Sequence, residues 1–182
     1  QDLPGTLRHV ASLGYGEVEL ISFPGYAANT PRDGFGPLAG MRPSDIRLAI
    51  HGAGLRVESC HFKMLQLEGN ELGPSLDWAR GVGIREIVVS AISPGETAAD
   101  WENSFGRLAR AGDAVARAGF SLGLHTPSDV WRVFDNGRVF DRLLQRIRPA
   151  RLNMQLDLSS TLSRGVDPVQ VLAIHGRRIH SL

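Results

Sequence analysis

The sequence predicts an α/β fold, a (β/α)₈ barrel, from the order of its segments and from the two faces of its strands. Segments with helical spacing alternate with short apolar runs at roughly 30 residues per unit, which predicts parallel βαβ units. Along these runs, large apolar side chains share one face and polar or small side chains share the other. An open doubly wound sheet, the alternative, has helices on both faces and should be apolar on both. A barrel interior becomes polar towards its mouth, so the alternation favours the barrel.

The first half of the chain is expected to form three helix–strand pairs. Leu7, Val10 and Ala11 form the inner stripe of the first helix, and Gly14 ends it. Pro43 opens the second helix after a long glycine- and proline-rich loop. The helices are expected at 3–13, 43–54 and 73–83, the strands at 15–22, 55–62 and 85–92, and the loop at 23–41.

The second half continues the alternation, and its first helix has the clearest pattern. Trp101, Phe105 and Leu108 recur at a spacing of three or four residues, which predicts an amphipathic helix. The helices are expected at 100–119, 140–147 and 168–175, and the strands at 120–126, 151–159 and from 178 onward. No low-complexity linker divides these elements, so we expect a single domain over 1–182.

The composition excludes several classes of protein. The 182 residues have a net charge of +1 and no basic stripe, so we expect no nucleic-acid partner. The apolar runs are too short to span a bilayer, so we expect no membrane partner. Cys60, the single cysteine, cannot form an internal disulfide or a multi-cysteine zinc site. No signal-like segment follows Gln1, which favours a cytoplasmic location; a periplasmic one would require a signal peptide removed before Gln1.

Polar side chains fall near the carboxyl ends of predicted strands, where barrels of this kind keep their chemistry. These residues are Glu19, His61, His125 and Asp157. Each has a structural alternative. Asp157 could cap a turn or bind Arg164, although a carboxylate inside a leucine-rich strand is costly unless it is paired. Glu19 could pair with a nearby arginine, His125 could be a hydrogen-bonded core residue, and His61 could support the barrel mouth.

Five stretches of the chain resemble the xylose isomerase-like TIM barrels, the sugar phosphate isomerase/epimerase family that includes inosose dehydratase-like members. They include TLRHVASLGYGEVEL, GLRVESCHF and QLDLSS, and they lie at 6–20, 54–62, 79–90, 123–144 and 151–182. Their order and spacing agree with the family over nearly the whole chain. The resemblance implies a TIM barrel that is incomplete here, with strands two to seven present and a domain truncated at both ends.

The resemblance also implies a divalent metal at the barrel mouth, which could be Mn, Zn, Fe, Co or Mg. His125 falls on the ligand position of strand five and Asp157 on that of strand six. Glu19 and His61 are then the candidate catalytic groups, and His61 and Trp131 are candidates for substrate binding. The implied full-length protein is an isomerase or epimerase, or a dehydratase, that acts on a sugar or sugar phosphate through an enediolate. A homo-oligomer is a further expectation.

The chain departs from the family pattern after strand five. Related members often carry an HNHDFEF-like run there, whereas this chain reads HTPSDVW, with Pro127 at the second histidine and Val130 at the glutamate. A second hypothesis follows, a non-catalytic carbohydrate-binding or scaffold protein that keeps the barrel. A third, an endonuclease-type barrel acting on abasic DNA, would need more metal ligands and a basic groove.

Overall fold

The computed structural model describes residues 2–21, 38, 41–92, 96–134 and 137–182. The chain divides into two compact units, 1–87 and 88–182, and the boundary lies inside one strand. The expected single domain over 1–182 stays a prediction. Within the described residues, no helix is long and apolar enough to cross a membrane.

The first unit alternates helices and strands. The order is α1 (Leu3–Ser12), β1 (Glu17–Ile21), α2 (Pro43–Gly52), β2 (Arg56–Phe62), α3 (Leu72–Val82) and β3 (Glu86–Val89). Strand β1 pairs in parallel with β2, which brings Ile21 opposite His61, and β3 is the next strand in the sheet. Two 3₁₀ turns, Met64–Leu67 and Gly69–Glu71, connect β2 to α3.

The second unit continues the alternation. The order is α4 (Ala98–Arg117), β4 (Ser121–His125), β5 (Val133–Phe134), β6 (Gly137–Arg138), α5 (Val139–Arg146), β7 (Asn153–Gln155), α6 (Leu158–Ser163), α7 (Pro168–His175) and β8 (Ile179–Ser181). Strand β4 pairs in parallel with β7, and β7 pairs in parallel with β8. Strands β5 and β6 form a small antiparallel pair after a 3₁₀ turn at Ser128–Trp131.

Helix α4 shows how local sequence and packing agree. Its amino end is closed by a reciprocal pair of bonds, in which Thr97 Oγ1 accepts from the Asp100 amide and Asp100 Oδ2 accepts from the Thr97 amide. Its apolar stripe, which includes Trp101 and Phe105, is buried. Where α4 meets the chain entering β7, a Cβ at Gly112 would collide with the carbonyl oxygen of Arg151. The glycine therefore permits close packing of the helix against this segment.

The predicted alternation of faces is confirmed in β4 and β7. Leu122, Leu124 and Met154 are buried, whereas His125 and Gln155 are only partly covered. One face of these strands therefore contributes to the apolar core, and the other presents an imidazole and an amide at the strand ends.

The structure corrects the predicted strand at 151–159. Strand β7 covers only Asn153–Gln155, and Asp157 is instead the residue that caps α6, a helix that the sequence analysis did not predict. Apolar and polar residues keep alternating in LNMQLDLS beyond the end of β7, which explains why the predicted strand was too long. The other elements agree to within a few residues. The β5–β6 hairpin was also missed, and the loop expected at 23–41 lies outside the described residues except for Leu38 and Met41.

Candidate functional site

The side chains of His125 and Asp157 meet at the carboxyl ends of β4 and β7. The distance between His125 Nε2 and Asp157 Oδ2 is 3.3 Å, and the two side chains are 31% and 24% exposed. His125 is the last residue of β4 and lies opposite Gln155 in the parallel register. The other ring nitrogen, Nδ1, lies 2.9 Å from Gln155 Oε1. Two residues expected to act together are therefore neighbours in the structure.

Asp157 is held by the start of α6 and by the end of β4. Its Oδ1 accepts from the Ser160 amide at 3.0 Å, and its Oδ2 accepts from Ser160 Oγ at 2.7 Å. Its own amide donates to the Oγ1 of Thr126, a fully buried residue, at 2.8 Å. The hydrogen bonds from Ser160, and to a smaller extent the charge of His125, lower the pKa of Asp157. The carboxylate is therefore ionised at neutral pH.

The structural alternatives for Asp157 are partly right. Asp157 does cap a helix, as one alternative held, while its Oδ2 also faces His125. The expected partner Arg164 instead places its guanidinium 3.2 Å from Ser128 Oγ and 3.3 Å from Asp129 Oδ1. Capping and ligation are compatible, because a carboxylate has about four lone-pair sites.

The two donor atoms suit a divalent cation, although two are fewer than a full coordination sphere needs. Two ligand atoms bound at about 2.1 Å lie about 3.0 to 3.4 Å apart at octahedral or tetrahedral angles. The 3.3 Å between His125 Nε2 and Asp157 Oδ2 agrees with that spacing. Across the residues that the structure describes, no group of three or more His, Cys, Asp and Glu side chains could hold a metal ion. The pair could therefore supply two ligands of a cation, and a complete coordination sphere requires others.

Glu19 and His61 form a second pair, in the first unit. His61 Nε2 lies 2.8 Å from Glu19 Oε1, and Ser59 Oγ donates to Glu19 Oε2. Ser59 and His61 are two residues apart on β2, so they present the same face to the glutamate on β1. Arg56, on the neighbouring strand β2, pairs with Glu17 at 2.6 Å. A carboxylate that orients an imidazole is a typical arrangement for general acid–base catalysis.

Trp131 is placed differently from the expectation. It is 5% exposed, and its ring stacks on Phe140 with centroids 4.6 Å apart. This burial favours the alternative that Trp131 fills the core of the second unit, and it leaves little indole surface for a sugar ring. Stacking of Trp131 on a substrate stays a prediction.

Sequence reasoning missed Gln155, Thr126 and Ser160. A signal was present for Ser160, because aspartate followed three residues later by a polar residue is typical of a helix start. Gln155 and Thr126 became visible only with the register of β4 against β7, which joins positions about thirty residues apart.

No protein-family profile and no curated protein sequence matches this chain. Solved structures do match. A sugar phosphate isomerase/epimerase from Parabacteroides distasonis ATCC 8503 superposes with a TM-score of 0.83 at 20% identity, over 98% of this chain and 68% of that one. The fold is that of the xylose isomerase-like TIM barrels. The predicted incomplete barrel is confirmed, because the described residues supply six sheet strands where a full barrel has eight.

Two further TIM barrels show how varied the chemistry on this fold is. The probable 3-DHS dehydratase AsbF of Bacillus anthracis matches with a TM-score of 0.69 at 13% identity, over 96% of this chain and 64% of that one. The family 2 AP endonuclease of Brucella melitensis matches with a TM-score of 0.65 at 17% identity, over 97% and 70%. At such identities the likeness establishes the barrel, and function must be argued from the residues.

Proposed function

We propose that this barrel is a metal-dependent isomerase or epimerase, or a dehydratase, that acts on a sugar or sugar phosphate, with His125 and Asp157 as metal ligands. The observation that carries the proposal is the 3.3 Å approach of His125 Nε2 to Asp157 Oδ2 at the ends of neighbouring parallel strands. TIM barrels keep their reactive groups at this end of the strands. The substrate class is supported by the sugar phosphate isomerase/epimerase from Parabacteroides distasonis, which has the same fold.

A bound Mn, Zn, Fe, Co or Mg ion supplies a Lewis acid that polarises a substrate oxygen. The residues of this chain determine where such an ion binds. Asp157 offers an ionised carboxylate because the hydrogen bonds from Ser160 lower its pKa. His125 offers the Nε2 side of its ring, since Nδ1 faces Gln155. A hard oxygen and an imidazole nitrogen together suit Mn, Fe, Co and Zn better than Mg.

Glu19 and His61, which meet within the first unit, are the acid–base candidates of this proposal. A carboxylate accepts from an imidazole N–H, so Glu19 Oε1 favours a neutral His61 that can act as general base toward the proton on the carbon next to a substrate carbonyl. The electron pair of that C–H bond moves to the carbonyl oxygen and forms the enediolate. Protonation of the neighbouring carbon, with its hydroxyl proton passing to the former carbonyl oxygen, gives isomerisation. Epimerisation requires a proton donor on the opposite face of the first carbon.

Metal binding by Asp157→Asn tests the ligand assignment. Asparagine is also a good helix cap, so this change removes the charge and keeps α6. The matched control is Asp167→Asn, because Asp167 caps α7 by accepting from the Val169 amide. Calorimetric titration with Mn²⁺ should give an affinity at least tenfold weaker for Asp157→Asn and an unchanged one for Asp167→Asn. Equal affinities in the two variants would remove Asp157 from the site.

A second function, carbohydrate binding without catalysis, is favoured by the segment after β4. Val130, which stands where related members have a glutamate, is fully buried, and Pro127 leads into the 3₁₀ turn. Neither residue can transfer a proton. A panel of keto and phosphorylated sugars, assayed with Mn²⁺ for both binding and turnover, separates the two functions. Turnover of any sugar excludes the binding-only function, and binding of several without turnover contradicts the enzyme.

A further inference from the structure

Gln155 lies between the two proposed metal ligands in sequence and contacts the ring nitrogen of His125 that does not face Asp157. The pairing of β4 with β7 places it opposite His125, and its Oε1 lies 2.9 Å from His125 Nδ1. The backbone of Gln155 is also anchored, because its carbonyl oxygen accepts from the Thr126 amide at 2.9 Å. Its neighbours Met154 and Leu156 are fully buried. The amide of Gln155 is therefore presented to the imidazole from a rigid position.

The chemistry of this contact selects one form of the histidine. A neutral imidazole carries one N–H and one lone pair, and an amide oxygen only accepts hydrogen bonds. With Oε1 as the amide atom that faces the ring, the contact favours a neutral imidazole with the proton on Nδ1 and the lone pair on Nε2. That lone pair faces Asp157 Oδ2 at 3.3 Å. In that tautomer Nε2 and the ionised carboxylate are both acceptors, an arrangement that a cation between them would stabilise.

We infer that Gln155 is a positioning residue for the metal site: by holding the proton on His125 Nδ1, it turns Nε2 into a ligand atom beside Asp157. The inference rests on the proposed function and deepens it. Partners of this kind, which orient a ligating histidine through its other nitrogen, typically change metal affinity by about 10- to 100-fold.

The tautomer of His125 in the metal-free protein is the decisive measurement. Two-bond ¹⁵N–¹H correlation spectra distinguish a proton on Nδ1 from a proton on Nε2. The unchanged protein should carry it on Nδ1. In Gln155→Leu the proton should move to Nε2, where it can be donated to Asp157. In Gln155→Glu, which keeps the acceptor, the proton should return to Nδ1. Gln155→Leu with the proton still on Nδ1 would overturn the inference.

Metal affinity provides a second readout. Titration with Mn²⁺ should give an affinity at least tenfold weaker in Gln155→Leu, with recovery in Gln155→Glu. The matched control is Asn153→Leu, an equivalent change two residues earlier on the same face of β7. Equal loss in Asn153→Leu would assign the effect to the strand and would also overturn the inference. If Gln155→Leu does not fold, Gln155→Met, which keeps the length of the side chain, replaces it.

The failure of the inference is distinguishable from the failure of the proposed function. If the unchanged protein does not bind Mn²⁺, the metal site is wrong. The tautomer measurement, which needs no metal, still decides whether Gln155 sets the protonation of His125.

Discussion

Thr126→Val replaces a hydroxyl group by a methyl group. Among such changes near the site, it should lower the local stability of the backbone at Asp157 most. Thr126 is fully buried, and its Oγ1 accepts from the Asp157 amide at 2.8 Å. Valine has nearly the same shape but no acceptor, so the Asp157 amide would lose this partner at a partly buried position. An unpaired buried donor costs about 1 to 3 kcal/mol. The cost should appear at the junction of β4, β7 and α6.

Amide hydrogen exchange at Asp157 measures this cost locally, which avoids assuming two-state unfolding of a chain with two compact units. A cost of about 1 to 3 kcal/mol corresponds to exchange that is about 5- to 150-fold faster. Urea unfolding followed by a probe in the second unit should show a lower midpoint. Because the amide sits beside the carboxylate, the affinity for Mn²⁺ should fall as well.

Thr161→Val provides the matched control for this prediction. Thr161 is also fully buried, and its Oγ1 donates to the carbonyl oxygen of Asp157 at 2.7 Å. That carbonyl already accepts from the Thr161 amide, so the loss of the hydroxyl leaves no backbone group unpaired. The effect of Thr161→Val should therefore be smaller. Exchange at Asp157 that is no faster in Thr126→Val than in Thr161→Val would refute the reasoning.

Three other predictions follow from the packing and the charges. Gly112→Ala should lower the free energy of unfolding by about 1 to 3 kcal/mol, because the new Cβ collides with a backbone carbonyl oxygen. The control is Gly106→Ala, on the same helix, where the new Cβ meets only a flexible side chain. In denaturant titrations this control should leave the free energy of unfolding unchanged or raise it. The pKa of Asp157 is lowered in the folded protein, so its contribution to stability is present above the unfolded pKa of about 3.9 and is lost as the pH falls through the folded pKa. The difference in urea midpoint between the unchanged protein and Asp157→Asn should accordingly shrink as the pH is lowered below about 4, and a constant difference would contradict this. Glu19→Gln should lower kcat by about 10²- to 10⁴-fold on any sugar that is turned over, whereas Glu17→Gln, which affects an exposed ion pair on the same strand, should not.

The helices and strands were largely predictable because their signals are local. Helix α7 begins at Pro168, which follows the capping Asp167, and it was expected over 168–175, the range that the structure has. The apolar stripe of α4 and the alternating faces of β4 are also written in neighbouring residues. Such patterns report which side of a segment is buried, and burial is what forms these elements.

The prediction around Asp157 was less successful because two local signals compete there. Alternation favours a longer strand through LNMQLDLS, while the hydrogen bonds of Asp157 to Ser160 favour the start of a helix. The cap prevails in the folded protein, and β7 ends at Gln155. The pattern of apolar residues alone does not predict where β7 ends and α6 begins, because it contains no information about hydrogen bonds.

The sequence by itself predicted the alternation of helices and strands, since periodicity is a local property, and the resemblance to a known barrel family added the candidate pair His125 and Asp157. Only the tertiary structure decided which atoms meet. The parallel register of β4 against β7 sets the contact of His125 with Gln155, thirty residues away, and the contact of Thr126 with Asp157. The packing of the second unit likewise placed Trp131 in the interior against Phe140. Register and packing arise from contacts between distant segments, and a local pattern of residues does not specify them.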